Sequence, residues 1–335
     1  MSNRILCFGE LLLRLASPGR ELLLQSPRLD VHIGGAEANV AIALAHFGHA
    51  VGMIGSVADN SLGRAAIAEL RRQGVDARAV TVRPGRMGLY FLETGALQRP
   101  SEVLYDRADS AFARTPAAAY DWPVLLRGAQ LLHLSGVTPA LGQACADTAI
   151  AAARAARALG LQVVFDGNFR AKLWQAWQSD AASILRELLA CADTLFADHR
   201  DISVVLGREF AGAEADRAAA AAAFDTFPHV RNIVSTRRLQ HSVDRHDLAA
   251  QWFTRRGEIQ LPAQRLDGIV DRIGGGDAFA AGVLHGLQHG WDDEQSLRFG
   301  LAAACLKHSL PGDFLALDEA RVRSLMDEAR FDVRR

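Results

Sequence analysis

The sequence predicts an α/β protein: a central, mostly parallel β-sheet with helices on both faces, and a small second β-sheet beside it. Beyond about residue 130, short apolar runs alternate with helical stretches, strand then helix, three times in succession. That rhythm belongs to a parallel sheet covered on both sides. Residues 11–33 and 77–111 break it, with short strands punctuated by glycine and proline and no strong helix between them. They are therefore assigned to an appended sheet, or lid. Half of the 335 residues are hydrophobic and 22% are charged, enough apolar material for one large domain over 1–335.

In order, residues 4–8 read as a buried strand ending at Gly9-Glu10, and 11–33 as short exposed strands and turns around Pro18, Gly19 and Pro27. Gly34-Gly35 opens a helix over 36–47 that Gly48 stops. A strand at 51–56 and a helix at 61–73, ended by Gly74, follow. Strands at 79–82, 88–93 and 103–105 complete the lid. Strands at 131–134, 161–165 and 194–196 each precede a helix, at 141–159, 181–190 and 199–206. The alanine-rich stretch 211–224 reads as a helical surface spacer, and 232–235 as a strand. Three helices close the chain, at 277–289, at 293–308 and after a cap at Asp318.

Lys+Arg total 37 and Asp+Glu 38, a net charge of -1 that gives no electrostatic case for binding nucleic acid or a membrane surface. The N-terminal apolar run is short and broken by Glu10 and Arg14, so neither a signal peptide nor a membrane span is expected. Cys7, Cys145, Cys191 and Cys305 lie far apart and read as reduced thiols of a cytoplasmic protein. The eleven histidines are read as scattered, with no zinc motif among them. Lys172 and Lys307 are the only lysines, and neither sits in a Walker loop. Backbone amides, arginines and a metal would have to hold any nucleotide phosphates.

Four runs could carry chemistry. Asp271-Arg272-Ile273-Gly274-Gly275-Gly276-Asp277 leads into an apolar helix. Its glycines free backbone amides for an anion, and Asp277 stands beside them, where it could take a proton from an attacking hydroxyl. Taken alone, Asp277 is more simply an N-cap. Gly34-Gly35 and Asn39 open an earlier helix, where Asn39 faces either a hydroxylated ligand or the core. Asp166-Gly167-Asn168-Phe169-Arg170 follows a strand directly, where ligands of open parallel sheets gather. Tyr90, Tyr105 and Arg107 lie on the lid, suited to closing over a sugar or to cross-strand packing.

Together these runs resemble the ribokinase-like (PfkB-type) carbohydrate kinases. Gly34-Gly35 through Asn39, Gly48, Gly55, Asp59 and Gly63 match the N-terminal family pattern, and Asp271 through Asp277 and Gly282 the C-terminal one. The resemblance implies a ribokinase-like fold that transfers the γ-phosphoryl group of ATP, with Mg²⁺, to a sugar hydroxyl. Asp277 would be the base, and Gly274, Gly275 and Gly276 the anion hole. Within the family the chain is most similar to 2-keto-3-deoxygluconate kinases, through Tyr90, the 104–111 run, the 166–174 run and Pro311-Gly312-Asp313. That implies a sugar acid held by Gly34, Gly35, Asn39, Tyr90, Tyr105, Arg107, Arg170 and Asp313. It also implies a nucleotide held by Asn168, Asp198, Ser235, Thr236, Gly274 and Gly276, with Asp201 as a metal contact.

The family's Asn-x-x-Glu motif is replaced by Asp198-His199-Arg200-Asp201, and its Lys-x-Gly-x-x-Gly stretch by residues 235–240. An apolar lid with open strand edges predicts a homodimer. A kinase for a neutral sugar such as fructose or ribose is the alternative substrate reading, and a sugar or nucleotide sensor without turnover the alternative class. A dinucleotide oxidoreductase is disfavoured because Gly9-Glu10-Leu11 is no Gly-x-Gly-x-x-Gly turn.

Overall fold

A computed structural model describes residues 4–327. The first part of the chain forms β1 (Arg4–Phe8), β2 (Leu12–Ala16), β3 (Asp30–Gly34), α1 (Ala36–His46), β4 (Val51–Ala58), α2 (Ser61–Arg72) and β5 (Asp76–Arg83). Then come β6 (Gly88–Glu93), β7 (Glu102–Asp106), α3 (Trp122–Leu125), β8 (Ala129–Ser135), α4 (Gln143–Ala158) and β9 (Gln162–Asp166). They are followed by α5 (Ala171–Gln175), α6 (Ala181–Leu189), β10 (Thr194–Phe196), α7 (His199–Leu206) and α8 (Ala215–Thr226). The chain continues with β11 (Asn232–Ser242), β12 (Arg245–Thr254), β13 (Gly257–Asp267), α9 (Gly275–Gln288), α10 (Asp293–Lys307) and α11 (Glu319–Asp327).

Nine strands form the large sheet in the order β13-β12-β11-β10-β9-β8-β1-β4-β5. All neighbours are parallel from β11 to β5, and β11, β12 and β13 pair antiparallel. Along β1, Ile5 and Cys7 pack into one layer and Leu6 and Phe8 into the other, as the two-residue period of a strand requires. Central strands buried on both faces read as unbroken apolar runs, and β4 is buried along its whole length. Helices α1 and α9 are apolar nearly all round because they lie inside one layer. The second sheet has the order β3-β2-β6-β7.

The structure corrects the sequence reading in four places. Residues 77–83, expected in the lid, belong to β5, which pairs with β4 at the edge of the large sheet. The stretch 211–224 is no spacer: Ala219 and Ala223 of α8 are fully buried, because alanine lets the helix pack closely on the core. The strand expected at 232–235 runs on to Ser242 and pairs with β12, which in turn pairs with β13; neither of those two shows a regular alternation in sequence. The histidines are not scattered. His285-Gly286-Leu287-Gln288-His289 is a His-x-x-x-His run, and it meets His49 where α1 packs along α9. Among the described residues no helix is long and apolar enough to cross a membrane.

Candidate active site

A cleft of about 440 Å³ lies between the small sheet and the strand ends of the large one. The lid contributes Tyr90, Tyr105 and Arg107, the loop after β9 Asn168 and Arg170, and the starts of α1 and α9 Gly35, Asn39 and Gly274 to Asp277. Asp313 closes one side. These residues, read from separate runs, therefore share one site. Gly34 lies just behind it, against Asp313.

Helix α9 begins at Gly274, whose φ of 79° puts it in the left-handed region. A Cβ there would sit 2.0 Å from the Asp313 carbonyl oxygen, so only glycine fits. No side chain caps the helix. Among the described residues the Gly276 and Asp277 amides donate to no protein acceptor, while the Gly275 amide reaches the Arg272 carbonyl at 3.3 Å. Open amides at a helix start, aided by the helix dipole, form an anion site.

Asn39 Nδ2 donates to Asp277 Oδ2 at 2.6 Å. Burial pushes the Asp277 carboxyl up to about 7, against the Asn39 hydrogen bond and the Arg170 charge, which both favour the ionised form. A carboxyl poised near neutrality suits a general base. Asn39 Oδ1 is buried with no protein partner, an acceptor left for a donor on a bound molecule.

The floor beneath the lid is ionic, and most of it was not anticipated from the sequence. Buried Arg14 donates from Nη1 to Asp313 Oδ1 at 2.8 Å and from Nη2 to Asp271. Burial alone would lower the Arg14 guanidinium, but Asp271 and Asp313 more than offset that and hold it above its usual value. Tyr90 donates to Asp313 Oδ2 at 2.8 Å, so both Asp313 oxygens already tie the lid to the loop before α10's successor. Arg107 Nε donates to Glu10 Oε2 at 2.7 Å, and Ser110 Oγ donates to the other Glu10 oxygen. The guanidinium expected to be free for a ligand is thus partly committed to a buried carboxylate. Arg170 is exposed and, among the described residues, makes no ion pair.

On the nucleotide side the predicted residues divide. Asn168 lines the cleft with a φ of 38°. Asp198 caps α7, accepting from the Arg200 and Asp201 amides, and Asp201 accepts from the Asp198 amide in return. Asp201 packs against Gly167, and burial together with the Asp198 charge pushes its carboxyl up to about 6. Ser235 is buried and accepts from Gln251 Nε2 at 2.9 Å, with Thr236 following it on β11. Asp198, Asp201, Ser235 and Thr236 do not line the cleft, whereas Asp166, Arg238 and Arg272 do. Burial, then the neighbouring Asp277 and Asp201 charges, raises the Asp166 carboxyl. The signals for the missed residues were present: Glu10 and Arg14 interrupt an apolar run, and Asp166 ends a strand.

The description of pfkB family carbohydrate kinases matches residues 2–319. A 2-dehydro-3-deoxygalactonokinase of Haloferax volcanii is 32% identical over 97% of each chain. A 2-dehydro-3-deoxygluconokinase of Bacillus subtilis is 27% identical over 84% of this chain and 82% of its own. The crystal structure of a 2-dehydro-3-deoxygluconokinase from Thermotoga maritima superposes with a TM-score of 0.91 at 34% identity, over 97% of this chain and 99% of that one. With its two-sheet architecture, its glycine-opened helix and likeness along nearly its whole length, the chain belongs to the pfkB family of carbohydrate kinases.

Proposed function

We propose that the protein transfers the γ-phosphoryl group of ATP to the 6-hydroxyl of a 2-keto-3-deoxy (2-dehydro-3-deoxy) sugar acid, 2-keto-3-deoxy-D-gluconate being the first candidate. The supporting observation is the pairing of Asp277 with uncapped α9 amides at the centre of the cleft. The sugar's hydroxyl attacks the phosphorus as its proton passes to Asp277, and the departing bond is the one to the β-phosphate oxygen of ADP. Asn39 holds the Asp277 carboxylate and offers Oδ1 to a second hydroxyl. The Gly276 and Asp277 amides, with Arg238 and Arg272 nearby, meet the charge on the transferring group. Base catalysis of this kind contributes roughly 10²–10⁴-fold.

The nearness of Asp277 and Asp201 to Asp166 fits a divalent cation, since burial and then both neighbouring charges raise the Asp166 carboxyl. Asp166, directly or through water, is the residue that would hold Mg²⁺, with Asp201 behind it. When bound, the ion neutralises charge on the phosphates.

Arg170, which makes no ion pair among the described residues, is the cation offered to the sugar's carboxylate. The names of the two sequence relatives favour a 2-dehydro-3-deoxy acid, and they differ in stereoisomer. A coupled ADP assay with both acids, fructose and ribose tests this reading; faster turnover of a neutral sugar would overturn it. Arg170→Ala should raise KM for the acid about 10–100-fold, the value of a charged hydrogen bond of about 1.5–3 kcal/mol. Arg107→Ala is a poorer probe, because it strands Glu10 in the interior.

The lid supports the dimer. Val31, Leu15, Phe91 and Leu104 lie in register across its four strands, on the face opposite Tyr90 and Tyr105. Val31 and Leu104 are exposed. A second copy of this sheet would cover the row. Sedimentation should give a dimer that Leu104→Glu dissociates; a wild-type monomer at all concentrations would refute it.

A further inference from the structure

At the end of α9 remote from Asp277, three histidines converge. His285 and His289 are four residues apart and so share a helix face, and His49 enters from the turn after α1. One ring nitrogen from each lies within 4.8 Å of the other two. His49 Nε2 and His285 Nδ1 are 2.9 Å apart.

We propose that His49, His285 and His289 form a site for a borderline divalent transition metal, Zn²⁺ foremost, separate from the phosphoryl-transfer cleft. The ligand type is right, since imidazole nitrogens suit zinc and its neighbours in the series. The outer contacts are right as well. His289 Nδ1 lies 2.9 Å from the His285 carbonyl oxygen, to which it donates, and this leaves Nε2 as the ligating atom. His285 Nε2 is buried without a hydrogen bond and stands 3.6 Å from Glu319 Oε2 of α11, leaving Nδ1 to face the cluster. A carboxylate behind a ligating imidazole is the usual support of such sites.

Phe47, Trp291 and Phe299 wall the cluster with aromatic rings. The ion takes the place of the single proton between His49 Nε2 and His285 Nδ1, and that proton moves to the outer nitrogen of the ring that carried it, so both imidazoles bind in their neutral form. Zn–N bonds of about 2.0–2.1 Å place the nitrogens of a tetrahedral site about 3.3 Å apart, and exposed His289 is free to close the difference. The fourth position is open to water.

The site would pin α1 to α9. The same two helices hold Asn39 against Asp277, eight residues and about 12 Å along α9 from His285. The metal is therefore a brace behind the cleft and takes no part in phosphoryl transfer.

The test uses the full chain, stripped with chelator and freed of nucleotide and Mg²⁺. Calorimetric titration with Zn²⁺ should give one ion per chain and a raised melting temperature, and Co²⁺ should give the visible absorption of a tetrahedral nitrogen site. His289→Ala, at an exposed position, should weaken binding at least 100-fold while leaving the metal-free melting temperature and kinase turnover unchanged. His49→Gln should also abolish the Co²⁺ spectrum. Equal Zn²⁺ affinity in wild type and His289→Ala, or an octahedral Co²⁺ spectrum in wild type, would overturn the proposal and leave the cluster as a hydrogen-bonded aromatic contact.

Discussion

Replacing Asp277 by asparagine should stabilise the protein while abolishing most of its activity. The folded environment raises this carboxyl from 3.8 to about 7, burial being the main cause. Because the folded value lies above the unfolded one, the unfolded chain gives up its proton first. Wild type therefore loses stability as pH rises from 3.8 to about 7, and loses no more above that. A shift of about three units at 1.36 kcal/mol each gives about 4 kcal/mol at pH 8. Solvent in the cleft screens part of it, leaving about 2–4 kcal/mol at pH 8 and about 1 kcal/mol at pH 5. Urea unfolding followed by tryptophan fluorescence at the two pH values measures the difference. Turnover should fall roughly 10²–10⁴-fold. In wild type, kcat/KM should decline as pH drops below about 7, where Asp277 takes up its proton. A variant no more stable than wild type at pH 8, or equally stabilised at pH 5, would refute the buried-carboxylate account. Near-normal turnover would refute the base.

Gly34→Ala would place a methyl 2.3 Å from Asp313 Oδ2, forcing that carboxylate away from Arg14 and Tyr90. Overpacking there should cost about 1–3 kcal/mol in urea unfolding and raise KM for the sugar. Lys307→Met removes a fully buried ammonium that donates to the Leu310 carbonyl at 3.0 Å and reaches the Asp271 carbonyl at 3.5 Å. Loss of these hydrogen bonds strands two carbonyls and should destabilise by about 1–3 kcal/mol and lower kcat by loosening the turn before α9, read from unfolding midpoints and steady-state rates. Arg14→Leu strands the Asp271 and Asp313 carboxylates and should be worse still, with the melting temperature recovering only at low pH, where Asp313 is protonated. A pH-independent loss in that variant would count against the ion pairs.

Local order was legible because burial leaves a period in the sequence. The alternation of strand and helix, the glycine turn before Asp277 and the start of α1 after Gly35 all follow from neighbouring residues; that no side chain caps α9 does not, since Asp277 alone reads as an N-cap and the structure gives that position to Gly274. Strands β12 and β13 were not legible, because β12 is buried on both faces over Ala250–Phe253 and β13 is exposed on both over 262–265, and neither case leaves a two-residue period. Residues 79–82 were legible as a strand but were placed in the lid, whereas β5 pairs with β4 in the large sheet, since pairing partners are chosen by topology.

The amino-acid sequence by itself determined which segments fold, and which turn could hold an anion. Only the tertiary structure decided which polar and charged groups meet: Asn39 with Asp277 across 238 residues, Arg14 with Asp271 and Asp313 across 257 and 299, Arg107 with Glu10 across 97. The reason is physical. A helix or strand is fixed by contacts a few residues apart, whereas a buried charge is fixed by whichever distant group the packed layers bring within 3 Å of it, and no local pattern records that choice.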